Sequence, residues 1–174
     1  MFDAAEDIGE YNEPLGIEVI AGFLKKNNAE ANIEFHSQSI HGDINNDLSK
    51  YDIVALSLPF NSLSSVDKIY PKINFEKQFM MIGNSLSTFG YKDILGKYPN
   101  LICSLGEGEY SMLDLVEYIH KRKDFQDIRN IAYIKEGSLR KNPRVLVDAN
   151  DIVMPERFPE VINFLKSKKG TFRI

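Results

Sequence analysis

The chain has 174 residues, 43% of them apolar, a formal net charge of −4 and one cysteine, Cys103. That is one ordinary domain, or one domain with a small appendage, with enough apolar mass for a true core. The charge is spread without a basic block, which speaks against a nucleic-acid surface; no apolar run reaches bilayer-spanning length; and a lone cysteine excludes an internal disulfide or an iron–sulfur cluster held by the chain's own thiols.

The opening Met1-Phe2-Asp3-Ala4-Ala5-Glu6-Asp7 has no signal-peptide character, so the cytoplasm is the expected compartment. Residues 1–13 are acidic and loop-like, and residues 1–5 read as the short remnant of a first strand. Asn12-Glu13-Pro14-Leu15-Gly16 opens a helix, with Asn12 as cap and proline in the first turn. Its apolar face is Ile17, Ile20, Ala21 and Leu24. Ala31-Asn32-Ile33-Glu34-Phe35 alternates and predicts a strand. A polar connection through residues 43–47 follows, with one helical turn expected before Lys50.

Asp52-Ile53-Val54-Ala55-Leu56-Ser57-Leu58 is the clearest strand, continuous and apolar, and therefore central and covered on both faces. It breaks at Pro59. A helix capped by Asn61 or Ser62 is expected to run to about Tyr70, where Pro71 ends it. Gln78-Phe79-Met80-Met81-Ile82 predicts a second central strand, stopping at Gly83-Asn84-Ser85, and a helix carrying Ile94 and Leu95 follows. Leu101-Ile102-Cys103-Ser104-Leu105 predicts a third, which places Cys103 in the core. The turn Gly106-Glu107-Gly108-Glu109 comes next. Met112, Leu115, Val116 and Ile119 then recur at helical spacing, and Lys121, Arg122 and Lys123 close that helix at the negative end of its dipole.

Beyond it the style changes. Ile131-Ala132-Tyr133-Ile134 and Arg144-Val145-Leu146-Val147 read as the arms of a hairpin turning through Glu136-Gly137-Ser138. Residues 148–174 are a tail with a short helix through Val161, Ile162 and Leu165 and a solvated basic run from Lys166 to Gly170. The alternation predicts an α/β fold: a Rossmann-like (flavodoxin-like), mostly parallel sheet with helices on both faces, plus a C-terminal β-hairpin and tail. The expected division is residues 1–130 for the Rossmann-like domain and 131–174 for hairpin and linker. His36, His41 and His120 have no metal-ligand spacing. No Ser-His-Asp context, nucleophile elbow or phosphate loop is present, so no catalytic residue is assigned. In open α/β sheets the turns leaving the carboxyl ends of strands hold the ligand.

Several pieces stand in one order: Glu13-Pro14-Leu15-Gly16-Ile17-Glu18-Val19-Ile20, Asp52-Ile53-Val54-Ala55-Leu56-Ser57, Met81-Ile82-Gly83-Asn84, Gly106-Glu107-Gly108-Glu109, the hairpin, Asn142-Pro143-Arg144, and Met154-Pro155-Glu156-Arg157. Together they resemble the N-terminal cobalamin-binding domain of the cobalamin-dependent radical SAM enzymes, over nearly the whole chain. The resemblance implies cobalamin held at the carboxyl edge of the sheet, with its nucleotide tail buried. By position it assigns cofactor contacts to Ser57, Leu58 and Pro59, to Gly83, Asn84 and Ser85, and to Gly106, Glu107 and Gly108. It also implies a radical SAM domain or subunit, in cis or in trans, as partner, most often in methyl transfer. The chain alone is then not an enzyme, because the cluster's three cysteines are not in it. The histidine that other cobalamin domains place after the first strand has no counterpart, as is common in the radical SAM relatives. Asn12 or Glu13 lies near that position. Gly83-Asn84 stands where a glycine pair is usual, which predicts a narrower slot for the tail.

A second reading is a scaffold or regulatory subunit that keeps this fold without cofactor and docks a partner. A third reading is a flavodoxin-like or receiver-like domain: Asp3, Glu6 and Asp7 resemble a receiver's acidic pocket, but Ser57-Leu58-Pro59 offers no aspartate to phosphorylate.

Overall fold

The computed structural model describes residues 2–3, 14–42, 47–60 and 62–167. Among the described residues seven strands form one sheet in the order β2-β1-β3-β4-β5-β6-β7. They are β1 (Phe2–Asp3), β2 (His36–Ser37), β3 (Ile53–Ser57), β4 (Phe79–Gly83), β5 (Ile102–Ser104), β6 (Ile131–Lys135) and β7 (Ser138–Lys141). From β2 to β5 the pairing is parallel, and β6 and β7 extend the same sheet antiparallel. The helices are α1 (Leu15–Lys26), α2 (Gln38–His41), α3 (Leu63–Ile69), α4 (Asn84–Lys97), α5 (Glu109–Ile119) and α6 (Pro159–Ser167). The α/β class and its mostly parallel sheet are therefore as the alternation predicts.

The apolar runs are continuous because the sheet is covered twice. Successive residues of β3 and β4 face opposite ways. Val54, Leu56, Met80 and Ile82 pack with Val66 and Ile69 of α3 and Leu86, Ile94 and Leu95 of α4. Ala55 and Met81 pack with Leu24 of α1 and Met112, Leu115 and Val116 of α5. Cys103 is fully buried in β5, and burial pushes its thiol up to about 12.

Four details differ from the sequence reading. The strand expected at residues 31–35 lies instead at His36–Ser37, after an irregular stretch from which Phe35 drops into a separate cluster with Ile17, Ala21, Phe158 and Val161. An additional helical turn occupies Gln38–His41, while the turn expected ahead of Lys50 falls largely on residues 43–46, outside the described residues. The hairpin is tighter than read: Glu136 and Gly137, both at positive φ, turn the chain, so the returning strand is Ser138–Lys141. Residues 144–147, read as that arm, join no ladder. They are restrained differently, by the side chain of Asn130 on the Val145 backbone. The first-strand remnant is a real strand, described at Phe2–Asp3 and lying between β2 and β3. Asn12, Glu13, Asn61 and the run 168–170 lie outside the described residues.

The tail wraps back over α1. Glu18, fully buried, accepts a hydrogen bond from Arg157 Nη1 at 2.7 Å, and its own carbonyl accepts from the Glu156 N–H. Burial raises the Glu18 carboxyl above its ordinary value against the opposing effect of the Phe158 N–H. Gly22 is the point of closest approach, where a Cβ would overlap the Met154 carbonyl oxygen. Gly22→Ala is therefore expected to destabilise by about 1–3 kcal/mol, because overpacking against backbone outweighs the helix propensity gained. Gly96→Ala, on α4 with open space around it, should instead stabilise by about 0.5–1 kcal/mol. Denaturant midpoints of the two variants should move in opposite directions.

Candidate cofactor site

The turns leaving β3, β4 and β5 meet at the carboxyl edge of the sheet, and beneath them lies a cavity of about 310 Å³. Its floor is Ala55 and Met81, on the face that packs against α1 and α5. Ile17 and Ile20 of α1 wall one side and Met112 of α5 the other. Ser57, Gly83, Asn84, Gly106, Glu107 and Gly108 form its rim. Six of the nine residues assigned from the sequence thus come together.

The other three do not line it. Leu58 is fully buried in the opposite cluster, where its N–H donates to the Gly83 carbonyl and its carbonyl accepts from the Leu86 N–H. It ties two rim turns together from below. Pro59 and Ser85 are half-buried outside the lining. Sequence reasoning missed Ile20, Ala55, Met81, Ser104 and Glu109. A usable signal was strand alternation: Ala55 and Met81 are in register and point the same way as Gly83.

The rim turns are held by small polar groups. Asn84 takes a left-handed φ of 73°, a conformation glycine favours and asparagine tolerates. Its amide donates to Ser57 Oγ at 3.2 Å, and its carbonyl side chain accepts from the Ser85 N–H at 2.6 Å. The expected narrowing at this position is thus limited: asparagine reproduces the backbone of a glycine and folds its side chain along the rim. Thr88 Oγ1 donates to the Asn84 carbonyl and accepts from the Gly106 N–H. Gly106 requires glycine twice over, by its φ of 86° and because a Cβ would meet Arg144 Nη2 at 2.6 Å. At Gly108 a Cβ would meet Ile20 Cδ1 at 2.6 Å, so the α5 opening sits close on α1. Ser104 and Ser111 share a hydrogen bond at 2.6 Å that pins β5 to α5.

The lip carries both signs of charge. Burial lifts the Glu109 carboxyl above its ordinary value, and Glu107 adds to the shift. Glu107 also accepts from the Val147 N–H at 3.4 Å. Two larger hollows, of about 580 and 410 Å³, open at the amino ends of the strands around Phe79 and Ile53. Neither has a glycine turn in its wall, and α/β sheets bind ligands at the carboxyl edge. His36 and His41 do come together, with ring centroids 5.0 Å apart. Among the described residues no three His, Cys, Asp or Glu side chains group to hold a metal, and no helix is long and apolar enough to cross a membrane.

No family model matches the chain. The 4'-phospho-dehydrooxetanocin synthase of Priestia megaterium is 28% identical to it over 101 residues, 54% of this chain and 14% of that protein. Among solved structures, the cobalamin-dependent S-adenosylmethionine radical enzyme OxsB with aqua-cobalamin and S-adenosylmethionine bound superimposes with a TM-score of 0.80. The match has 22% identity and covers 94% of this chain and 25% of OxsB. The radical S-adenosylmethionine methyltransferase TsrM of Kitasatospora setae, with cobalamin and an iron–sulfur cluster bound, gives 0.64 at 15% identity, over 92% of this chain and 31% of TsrM. The chain thus spans about a seventh of the curated relative and a quarter to a third of these structures. The resemblance drawn from the sequence stands in the fold: over nearly its whole length the chain is built like one part of the cobalamin-dependent radical SAM enzymes.

Proposed function

We propose that this chain binds cobalamin, with the nucleotide tail in the cavity between α1 and α5 and the corrin lying across the rim of Ser57, Gly83-Asn84 and Gly106-Glu107-Gly108. The observation that carries the reading is the cavity itself. It opens at the carboxyl edge under three adjacent turns, and its floor and walls are largely apolar. At about 310 Å³ it stands at the small end of the ~300–1,000 Å³ usual for ligand sites. It suits one flat heterocycle with its sugar, so a macrocycle must stay outside, on the rim. Glycine at 106 and 108 removes side chains where the backbone must come close to a bulky ligand or to α1.

When bound, the corrin supplies the methyl-transfer or one-electron chemistry at its cobalt. The residues of this chain bind it and fix its orientation toward a radical SAM domain or subunit, in cis or in trans. Ser57 and Asn84 offer hydrogen bonds to polar groups at the corrin edge, and Glu107 and Glu109 accept from N–H or O–H donors. A scaffold without cofactor has no use for this cavity, and unfilled apolar space lowers stability.

Titration of hydroxocobalamin with the protein tests the reading. The corrin absorption bands are expected to shift and saturate at one equivalent. An unchanged spectrum at saturating protein would overturn it.

A further inference from the structure

One buried residue, Asn130, holds the backbone on both sides of an exposed cation, Arg144. Asn130 is 1% exposed and takes a left-handed φ of 59°. Its side chain grips Val145 on both sides: Nδ2 donates to the Val145 carbonyl at 2.9 Å, and Oδ1 accepts from the Val145 N–H at 2.6 Å. Its backbone N–H donates to the Pro143 carbonyl at 3.1 Å, and its carbonyl accepts from the Leu105 N–H at 2.7 Å. Both neighbours of Arg144 are therefore fastened to Asn130, which is itself bonded to Leu105, the residue preceding Gly106. Asn142 is fastened too, through its N–H to the Ile131 carbonyl and its amide to the Ile128 carbonyl. The result is a guanidinium held over Gly106, at the mouth of the cavity.

Arg122, Arg129 and Arg157 each pair with a carboxylate. Arg144 is exposed and makes no ion pair or side-chain hydrogen bond with any described residue, although Glu107 stands on the same lip. A guanidinium presents five N–H donors in a planar fork that matches the oxygens of a phosphate. The backbone on either side of Arg144 is already restrained, so binding has only the arginine side chain itself left to order.

We propose that Arg144 is the phosphate-binding residue of this site and takes the phosphodiester of a ligand whose heterocycle occupies the cavity. The inference rests on the cobalamin reading above, since the nucleotide tail of cobalamin carries such a diester between its corrin and its base. The lip then meets the ligand with matched chemistry. Arg144 meets the anion, and Glu107 and Glu109 meet the amide or hydroxyl donors beside it.

The test compares hydroxocobalamin with cobinamide, which has the corrin but lacks the nucleotide tail, on the full chain and on Arg144→Ala and Arg144→Lys. Arg144 is exposed, so both variants should keep the wild-type far-ultraviolet circular dichroism. Arg144→Ala is expected to weaken hydroxocobalamin about tenfold or more and to leave cobinamide unchanged, with Arg144→Lys between. Equal loss for both corrinoids, or loss for neither, would overturn the inference while the cobalamin reading stands. If the wild-type protein binds neither corrinoid but binds AMP with the same dependence on Arg144, the phosphate site is kept and the cobalamin reading falls. Binding of none of the three ends both.

Discussion

Gly83→Leu should abolish cobalamin binding and leave the domain folded. Gly83 ends β4 with φ −133° and ψ −171°, an extended conformation open to any residue. A Cβ there would have Leu56 O and Ser104 Cβ as its nearest atoms, both at 4.0 Å, so the substitution meets no overlap. Alternation along β4 sends the new side chain the way Met81 points, into the cavity. A leucine would fill a large share of about 310 Å³. Loss of at least about a hundredfold in affinity is expected, roughly 2.7 kcal/mol. Spectral titration with hydroxocobalamin measures it, and a thermal midpoint within a few degrees of wild type shows that the fold is intact. Wild-type affinity in this variant would mean that the ligand does not enter the slot. The same change at Gly106 would be less informative, because left-handed backbone and the Arg144 contact would be lost with it.

Asp114→Ala should cost about 3 kcal/mol of stability and lower the thermal midpoint by about 6–12 °C. Asp114 is 2% exposed on α5. It accepts from Arg129 Nε at 2.7 Å, Arg129 Nη2 at 2.8 Å, the Arg129 N–H at 2.9 Å and Lys123 Nζ at 2.6 Å. Removal leaves these donors without their acceptor. Arg129 and Lys123 keep partial access to water, which holds the cost to the low end for a broken buried pair. Burial alone would raise this carboxyl; the hydrogen bonds from Arg129 and Lys123 outweigh it and leave Asp114 below its ordinary value. Its stabilisation is therefore fully present above the ordinary carboxylate value and is lost as pH falls through the depressed folded value. The variant should accordingly lose less stability than wild type across that acid window. Equal midpoints for the two proteins at neutral pH would refute the assignment. Arg129 also stacks on Tyr110 at 3.8 Å, and Tyr110 donates to Asp151 at 2.9 Å, so the change also loosens the tail beside the cavity.

The central fold was legible because two-sided burial leaves continuous apolar runs. β3, β4 and β5 lie where residues 52–58, 78–82 and 101–105 predict them, and Met112, Leu115 and Val116 mark the inward side of α5. The edges were not legible, because they are held by single side chains. Alternation at 31–35 resembled a strand, yet Phe35 serves a cluster with Phe158 from the tail. Residues 144–147 resembled a hairpin arm, yet Asn130 holds them from 15 positions away. The site was half legible. Glycine turns mark where backbone comes close, but the floor of Ala55 and Met81 looks like any core pair until register places it beneath Gly83. Arg144 could be singled out only once the turn at Gly106 was seen beside it.

The ladder of this sheet is uneven. Among the described residues β3 and β4 share five rungs, whereas β1 shares two with β2 and two with β3, and β5 shares two with β4 and two with β6. The β3–β4 seam is therefore expected to open last and to exchange its amide hydrogens most slowly. Ser57 and Gly83 form the last rung of that seam, so the rim of the cavity is anchored to the part of the molecule that carries its cooperative unfolding.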